Sequence, residues 1–141
     1  MSSSGPETVG TGDNKLGLGS GLVVQELGWD EDVDEDVRIM VEDAIDSELF
    51  EEVMEAADVV LMWWRDSDGD LADGLVDSLT DLAEDGYVWL LTPKVGREGF
   101  VDPADVNEAA VSAGLSVTTV SATVSADWAA TKLVRPKSAR R

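Results

Sequence analysis

Asp58-Val-Val-Leu-Met-Trp-Trp-Arg-Asp-Ser-Asp-Gly-Asp-Leu71 is the stretch that decides the fold. It begins with an unbroken apolar run and stops abruptly in an acidic, glycine-containing turn, after which a helical pattern begins. An apolar run without alternation predicts a strand buried on both faces, which is typical of a parallel sheet. Ligands of open α/β sheets usually bind beside the ends of such strands, so the turn after this strand is where a site is expected.

Strands and helices alternate on both sides of this stretch. The pattern predicts strands at 22–27, 58–64, 87–92, 115–124 and 128–134, the last two as an antiparallel hairpin on the sheet edge. It predicts helices after the acidic cluster 30–36, over about 47–57, from Leu71 to about Glu84, and from Asp102-Pro103 to Gly114. We therefore expect an α/β fold of three layers, Rossmann-like, with a mostly parallel sheet of about five strands and helices on both faces.

The 141 residues predict one domain, which we place at 15–136 between a disordered leader (1–14) and a basic tail (137–141). Hydrophobic residues make up 43% of the chain, enough for a globular core. The chain contains neither cysteine nor histidine. Disulfides, Cys/His zinc sites and Ser–His or Cys nucleophiles are therefore excluded. With no membrane-length apolar run and no signal pattern, we expect a cytoplasmic protein.

The net charge of −20 is concentrated in the body of the chain. Residues 21–92 carry 23 acidic side chains against only Arg38 and Arg65, whereas residues 93–141 carry seven basic and five acidic ones. Such a body should repel nucleic acid and anionic membranes, and it favours solubility, cations or basic partners. Lys132, Arg135, Lys137, Arg140 and Arg141 are the opposing basic group near the C-terminus, and we expect no nucleic-acid binding from them.

Several motifs resemble those of a small actinobacterial protein family of unknown function. They are Val23-Val-Gln-Glu-Leu-Gly-Trp-Asp30, Val60-Leu-Met-Trp-Trp-Arg-Asp66 with Asp68-Gly-Asp70, Trp89-Leu-Leu-Thr-Pro-Lys94 and Leu133-Val-Arg-Pro-Lys137. The resemblance covers residues 15–137 and implies no assigned activity.

Residues 58–134 also resemble the C-terminal half of a class I methyltransferase domain, with its closing antiparallel strand pair. The first strand departs from that pattern, because it ends in Gly28-Trp29-Asp30 and not in a Gly-x-Gly loop. The glycines at positions 17, 19 and 21 precede the strand, where they cannot cradle a cofactor. The resemblance thus implies a shortened methyltransferase-like fold whose cofactor function is lost or replaced.

Residues at the predicted strand ends are the candidate ligand-binding set. They are Gly28, Trp29, Asp30, Arg65, Asp66, Thr92, Lys94 and Arg97. The cations among them could hold a nucleotide, phosphate or carboxylate, or they could neutralise nearby carboxylates such as Asp30, Asp66 and Asp68. We favour neutralisation.

The acidic turn allows two interpretations. Asp66, Asp68 and Asp70 alternate as in a calcium loop, with Asp77 at the twelfth position, but Leu71 replaces the usual glycine. The same residues suit a turn followed by a helix N-cap at Asp68 or Asp70, which we favour. Trp63 and Trp64 should point to opposite faces of their strand, and burial under helices is the favoured interpretation.

These features together predict a non-enzymatic binding or regulatory protein with no cofactor, a protein partner and a monomeric or homodimeric state. The alternative is a small-molecule binder or enzyme that holds adenosylmethionine or a nucleotide at the strand ends, or calcium in the acidic turn. A filled strand-end crevice beside an exposed apolar patch would favour the first hypothesis, and an open concave pocket there would favour the second.

Overall fold

A computed structural model describes residues 16–49, 56–80, 82–121 and 124–136. The strands in these ranges are β1 (Val24–Leu27), β2 (Ala57–Trp63), β3 (Leu82–Pro93), β4 (Ser116–Ser121) and β5 (Trp128–Val134). The helices are α1 (Glu35–Ile45), α2 (Leu71–Leu79) and α3 (Pro103–Ser112), with a 3₁₀ turn at Asp66–Asp68. Asp34, Asp70 and Asp102 cap the three helices by accepting a hydrogen bond from a first-turn backbone N–H.

The strands form one mixed sheet in the order β1-β2-β3-β5-β4. β1, β2 and β3 are parallel, and β5 runs antiparallel to both β3 and β4. The predicted α/β class and the closing hairpin are therefore confirmed. Of the two hairpin strands only β4 lies on a sheet edge, because β5 pairs along its whole length with β3.

Two cores cover the two faces of the sheet, as the unbroken apolar strands require. On one face α1 and the lead-in residues Leu16 and Leu18 pack over Trp63, together with Trp89 and Trp128. On the other face α2 and α3 pack over the remaining side chains of β2 and β3, with Trp64 at the margin of that core. Adjacent Trp63 and Trp64 thus lie on opposite sides of the sheet, as alternation predicted.

The helix predicted from Leu71 to Glu84 is too long. α2 ends at Leu79, and Leu82 already belongs to β3, where it pairs with Ala57 and is buried. Leu82 continues the helical apolar spacing of Leu79, so the sequence pattern alone could not detect the change from helix to strand. Gly86 lies beside Leu82 in the irregular part of β3, where an added Cβ would be 2.8 Å from the carbonyl oxygen of Asp58.

Three other predictions fall partly or wholly outside the described residues. The helix over 47–57 lies mostly in 50–55, which the structure does not describe, and Ala57 at its predicted end is instead the first residue of β2. The leader 1–14 and the tail 137–141 are also outside the described ranges. The described chain begins at Leu16, whose carbonyl oxygen accepts a hydrogen bond from the Trp89 indole at 3.1 Å.

Candidate functional site at the strand ends

The carboxyl ends of β1, β2 and β3 meet at one edge of the sheet, because these three strands are parallel. Gly28 follows β1, Arg65 follows β2 after one residue, and Lys94 follows β3. The candidate residues are therefore near one another in the fold. Their side chains divide into separate groups with different partners.

Gly28 brings the turn after β1 against the end of β2. Its φ of +77° is a conformation that L side chains rarely adopt, and an added Cβ would lie 2.2 Å from the carbonyl oxygen of Trp63. The glycine is therefore required for close contact between two backbones. It does not leave a cradle open to a ligand.

The Arg65 side chain closes the crevice between the ends of β1 and β2. Its Nη1 donates to the carbonyl oxygen of Gly28 at 2.7 Å, its Nε donates to Asp32 at 3.0 Å, and its Nη2 donates to the second Asp32 oxygen. The guanidinium carbon also lies 5.2 Å from the ring centroid of Trp128, a cation–π distance. We call this arrangement of Arg65, Asp32, the Gly28 carbonyl and Trp128 the Arg65 clamp.

The Arg65 clamp joins a buried cation to an exposed carboxylate. Arg65 is only 9% exposed, so its guanidinium depends on protein partners and not on water. Hydrogen bonds from Arg65 hold the pKa of the Asp32 carboxyl below its ordinary value, against partial burial that would raise it. The aspartate therefore stays ionised opposite the cation.

The acidic turn supports the same residue from the other side. Asp68 accepts a hydrogen bond from the Arg65 backbone N–H at 2.9 Å, and its carboxylate is 3.4 Å from Nη1 of Arg65. Asp70 accepts from the Ala72 N–H at 2.9 Å and begins α2. No group of three or more Asp or Glu side chains in the described ranges is arranged to hold a metal ion. Asp66–Asp68 form the turn and Asp70 caps α2, and the calcium site stays a prediction.

The remaining candidates point to other partners. Arg97 forms a salt bridge with Asp127 at 2.8 Å, and the backbone N–H of Lys94 donates to the Asp127 carbonyl oxygen. Thr92 is buried within β3. Trp29 is 49% exposed, and Asp30 accepts from the neighbouring Glu31 N–H. Arg65 and Arg97 thus form their salt bridges with different carboxylates, Asp32 and Asp127.

Sequence reasoning missed Asp32 and Trp128 as the partners of Arg65. Asp32 is one of several acidic residues in the cluster 30–36, and no local signal distinguishes it from its neighbours. Neutralisation of carboxylates was the favoured interpretation of the basic residues, but Asp32 and Asp127 were not among the partners expected.

A second ionic network fixes β1 to α1. Glu26 is 2% exposed and accepts two hydrogen bonds from Arg38, at 2.8 and 2.9 Å, and one from the Trp63 indole at 2.9 Å. The hydrogen bonds that Arg38 donates to Glu26 raise the pKa of Arg38 above its ordinary value. The two arginines of the acidic body therefore both serve as structural partners for carboxylates.

Two grooves lie beside α3, one on each flank. The apolar groove has a volume of about 490 Å³ and is lined by Thr92, Pro93, Lys94, Val95, Phe100, Val101, Pro103, Val106, Asn107, Val117, Val120, Ala129 and Thr131. The Trp64 groove has a volume of about 360 Å³ and is lined by Trp64, Asp66, Gly69, Asp70, Leu71, Ala72, Val101, Asp105, Glu108, Ala109 and Ser112. Val101 borders both grooves, so they form adjoining parts of one surface.

Among the residues that the structure describes, none of the helices has the length and apolar character needed to cross a membrane.

The fold is similar to solved methyltransferases. The mitomycin 7-O-methyltransferase MmcR superposes with a TM-score of 0.60 at 13% identity, over 83% of this chain and 50% of that one. A putative type 11 methyltransferase from Sulfolobus solfataricus gives 0.53 at 16% identity, over 84% and 86% of the two chains. A TehB-like SAM-dependent methyltransferase from Corynebacterium glutamicum gives 0.53 at 11% identity, over 94% and 90%. The chain spans about half the length of MmcR, and these identities establish a shared fold alone.

Relatives at higher identity come from mycobacteria. An uncharacterised protein from Mycobacterium tuberculosis and one from Mycobacterium bovis are each 50% identical over 125 residues, which is 88% of this chain and 78% of the relative. Residues 13–137 match the family described as "Protein of unknown function (DUF3052)". The match spans most of the sequence, and this chain therefore belongs to the DUF3052 family.

Proposed function

We propose that this protein is a non-enzymatic binding module of the cytoplasm, built on a methyltransferase-like fold whose strand-end crevice no longer takes a cofactor. Its acidic surface contacts a protein partner.

The observation that carries the proposal is the Arg65 clamp. Arg65, a residue that is 9% exposed, lies at the end of β2, and its guanidinium donates a hydrogen bond to the carbonyl oxygen of Gly28 at the end of β1. The two backbones also touch there, because no atom fits between the Gly28 Cα and the Trp63 carbonyl. These residues do not fit adenosylmethionine in the crevice between β1 and β2, where a cofactor of an open α/β sheet is expected.

The exposed surface supports the same proposal. The apolar groove lies beside the filled crevice, at the carboxyl end of β3, and Val95 and Val120 within it are largely exposed. A concave apolar surface bordered by polar residues is one of the features that mark an interaction site. A filled crevice next to an apolar patch is the combination expected of a partner-binding protein.

The second candidate function, binding of adenosylmethionine or a nucleotide, is favoured by the likeness to methyltransferase structures. That likeness concerns the fold, and many unrelated functions share one fold. Binding at the crevice would require Arg65 to leave Asp32, Gly28 and Trp128 together, which takes a buried guanidinium away from its partners.

Thermal unfolding with added ligands separates the two functions. A ligand at a hundredfold its Kd stabilises a protein by about 2.7 kcal/mol, which corresponds to a rise in Tm of about 8 °C for a domain of this size. We expect no shift with 1 mM adenosylmethionine, adenosylhomocysteine or ATP, read by tryptophan fluorescence.

A saturable rise in Tm with one of these three ligands would overturn the proposed function. The Arg97→Met variant tests whether any such rise depends only on positive charge at this edge of the sheet. Arg97 lies at the same edge, but its salt bridge is with Asp127 and not with Asp32.

A further inference from the structure

The two grooves beside α3 form a surface that is separate from the Arg65 clamp. We propose that they bind one segment of a partner protein that is both basic and amphipathic. An apolar side chain of that segment enters the apolar groove, and a lysine or arginine side chain enters the Trp64 groove. The inference rests on the proposed function, because it names the class of partner that the binding module recognises.

The apolar groove has the size and chemistry of a pocket for one large apolar side chain. Its volume is about 490 Å³, and residues of β3, β4 and β5 contribute to its lining. Val95 and Val120 are 77% and 63% exposed at its margins, and Phe100 is partly buried beside them. When an apolar side chain covers the apolar surface of a concave site, water leaves that surface and the free energy of the complex is lowered.

The Trp64 groove has the chemistry of a site for a cationic side chain. The Trp64 ring is held in place against Gly74, where an added Cβ would lie 2.6 Å from a ring carbon. Asp105 and Glu108 of α3 are exposed on one wall of the groove, and Asp70 lies on the opposite wall. An aromatic face surrounded by carboxylates attracts an ammonium or guanidinium group by ion pairing and cation–π contact.

Charge decides which occupant fits. The chain carries a net charge of −20, so a second copy would bring the same charge to the grooves, and nucleic acid or anionic lipid would be repelled. A basic segment is attracted instead, because complementary potentials raise the association rate and suppress wrong partners. Lys94 is the only basic residue that lines either groove within the described chain, and it lines the apolar groove.

The position of α3 between the two grooves sets the distance between the apolar and the basic side chain of the partner segment. Pro103 and Val106 face the apolar groove, whereas Asp105 and Glu108 face the Trp64 groove, so the segment must cross α3 near its first turns. A helix is about 10–12 Å wide with its side chains. Extended chain advances about 3.3 Å per residue, so the apolar and basic residues of the partner should be about three or four positions apart.

The test uses synthetic peptides and the full chain. The probes are capped peptides of nine residues in a Gly/Ser background, with one Phe and one Arg separated by two, three or four positions. Peptides with Phe replaced by Ser, or Arg replaced by citrulline, are the matched probes. Binding is followed by the ¹⁵N indole signals of the protein, among which Trp64 should shift and the buried Trp89 should not.

Two double variants with the same change in charge and apolar character separate the grooves from the rest of the surface. The Val120→Ser, Asp105→Asn variant alters both grooves. The Val111→Ser, Asp73→Asn variant alters an exposed valine and an exposed aspartate that line neither. We expect the first to weaken peptide binding at least tenfold and the second to change it less than twofold.

Three results would overturn the inference. They are the absence of saturable binding up to 1 mM peptide, equal weakening by the two double variants, and equal binding of the peptides that lack Phe or Arg. Dimerisation of the chain that Val120→Ser abolishes would assign the surface to a second copy instead. None of these results concerns the strand-end crevice, so the thermal-shift test of the proposed function remains independent.

Discussion

Arg65 is a buried cation whose partners come from several parts of the fold. A guanidinium presents five N–H donors, and burial makes each unpaired donor costly. Asp32, the Gly28 carbonyl and the Trp128 ring provide these partners. The partners come from three separate parts of the chain, so the clamp also ties β1, β2 and β5 together at their ends.

Replacement of Arg65 by Met should lower the free energy of unfolding by about 2 kcal/mol, since hydrogen bonds to charged groups contribute about 1.5–3 kcal/mol. The corresponding fall in Tm is about 6 °C. Arg97→Met is the matched control and should cost less than about 1 kcal/mol, because its ion pair with Asp127 is on the surface. Urea unfolding of both variants measures this, and equal losses would mean that the clamp is not a stabilising element.

The Asp32→Asn variant predicts a pH dependence. The folded-state pKa of Asp32 is lowered, so its contribution to stability is complete above the unfolded value of about 3.9 and disappears as pH falls through the folded value. The variant should therefore be less stable than the parent at pH 7, and the difference should shrink below about pH 4.

Thermal scans of the Asp32→Asn variant and its parent from pH 7 to pH 3 measure this, at low micromolar concentration because the sequence pI is about 4.1. A constant difference across the range would show that the ionised form of Asp32 is not what stabilises the clamp.

Gly28 and Gly96 form a pair for testing backbone contact. Both have positive φ, +77° and +89°, but an added Cβ at Gly28 meets the Trp63 carbonyl at 2.2 Å, while nothing lies within 4 Å at Gly96. Gly96→Ala should cost about 1 kcal/mol from the backbone conformation alone. Gly28→Ala should cost more than about 3 kcal/mol, because two strand ends must separate. Urea unfolding that gives similar losses would contradict the contact.

At the level of elements, the end of α2 is bound by a residue that is distant in the sequence. Arg135, which follows β5, donates to the carbonyl oxygens of Leu79, Ala83 and Glu84 at 3.3, 2.8 and 3.2 Å. A cation near the last turn also suits the negative end of the helix dipole, and the last turn of α2 has no basic residue of its own. Arg135 thus joins α2 to the start of β3, where a longer helix was predicted.

Replacement of Arg135 by Ala should lower the free energy of unfolding by about 2 kcal/mol, because three carbonyl groups lose a charged donor. The control is Lys132→Ala, which removes a cation–π contact 4.2 Å from the Tyr87 ring centroid and should cost about 0.5–1 kcal/mol. Hydrogen exchange should show faster opening at the end of α2 in the Arg135 variant only. Unchanged exchange there would mean that Arg135 does not hold the helix end.

For the whole molecule, repulsion among carboxylates opposes folding. A net charge of −20 on 141 residues destabilises the compact state, and added salt screens that repulsion. We expect Tm to rise by several degrees between 20 mM and 0.5 M KCl. Asp77→Asn, which removes an exposed carboxylate from the last turn of α2, should raise Tm at low salt and reduce the salt dependence.

A Tm that falls with added salt would show that the Arg65 and Arg38 ion pairs contribute more to stability than the repulsion costs. Scans of the Arg65→Met variant in the same salts would identify the Arg65 pair as the cause.

The sequence by itself determined the fold class and several local features. Unbroken apolar runs predicted buried parallel strands, and Asp70 and Asp102-Pro103 predicted two helix starts that the structure has at those residues. These features depend on the burial and spacing of residues close together in the chain. They can therefore be recognised without knowing which elements meet.

Only the tertiary structure decided the strand order beyond β3, the end of α2 and the partners of Arg65. Asp32 and Arg65 are 33 positions apart, and Arg135 reaches carbonyl groups more than 50 positions away. The sequence offers many carboxylates of equal local character, and the meeting of one of them with one arginine depends on how the strands pair. The missing glycine loop indicated a departure from the methyltransferase pattern, but Arg65 could not be identified as the residue that closes the crevice before the fold was known.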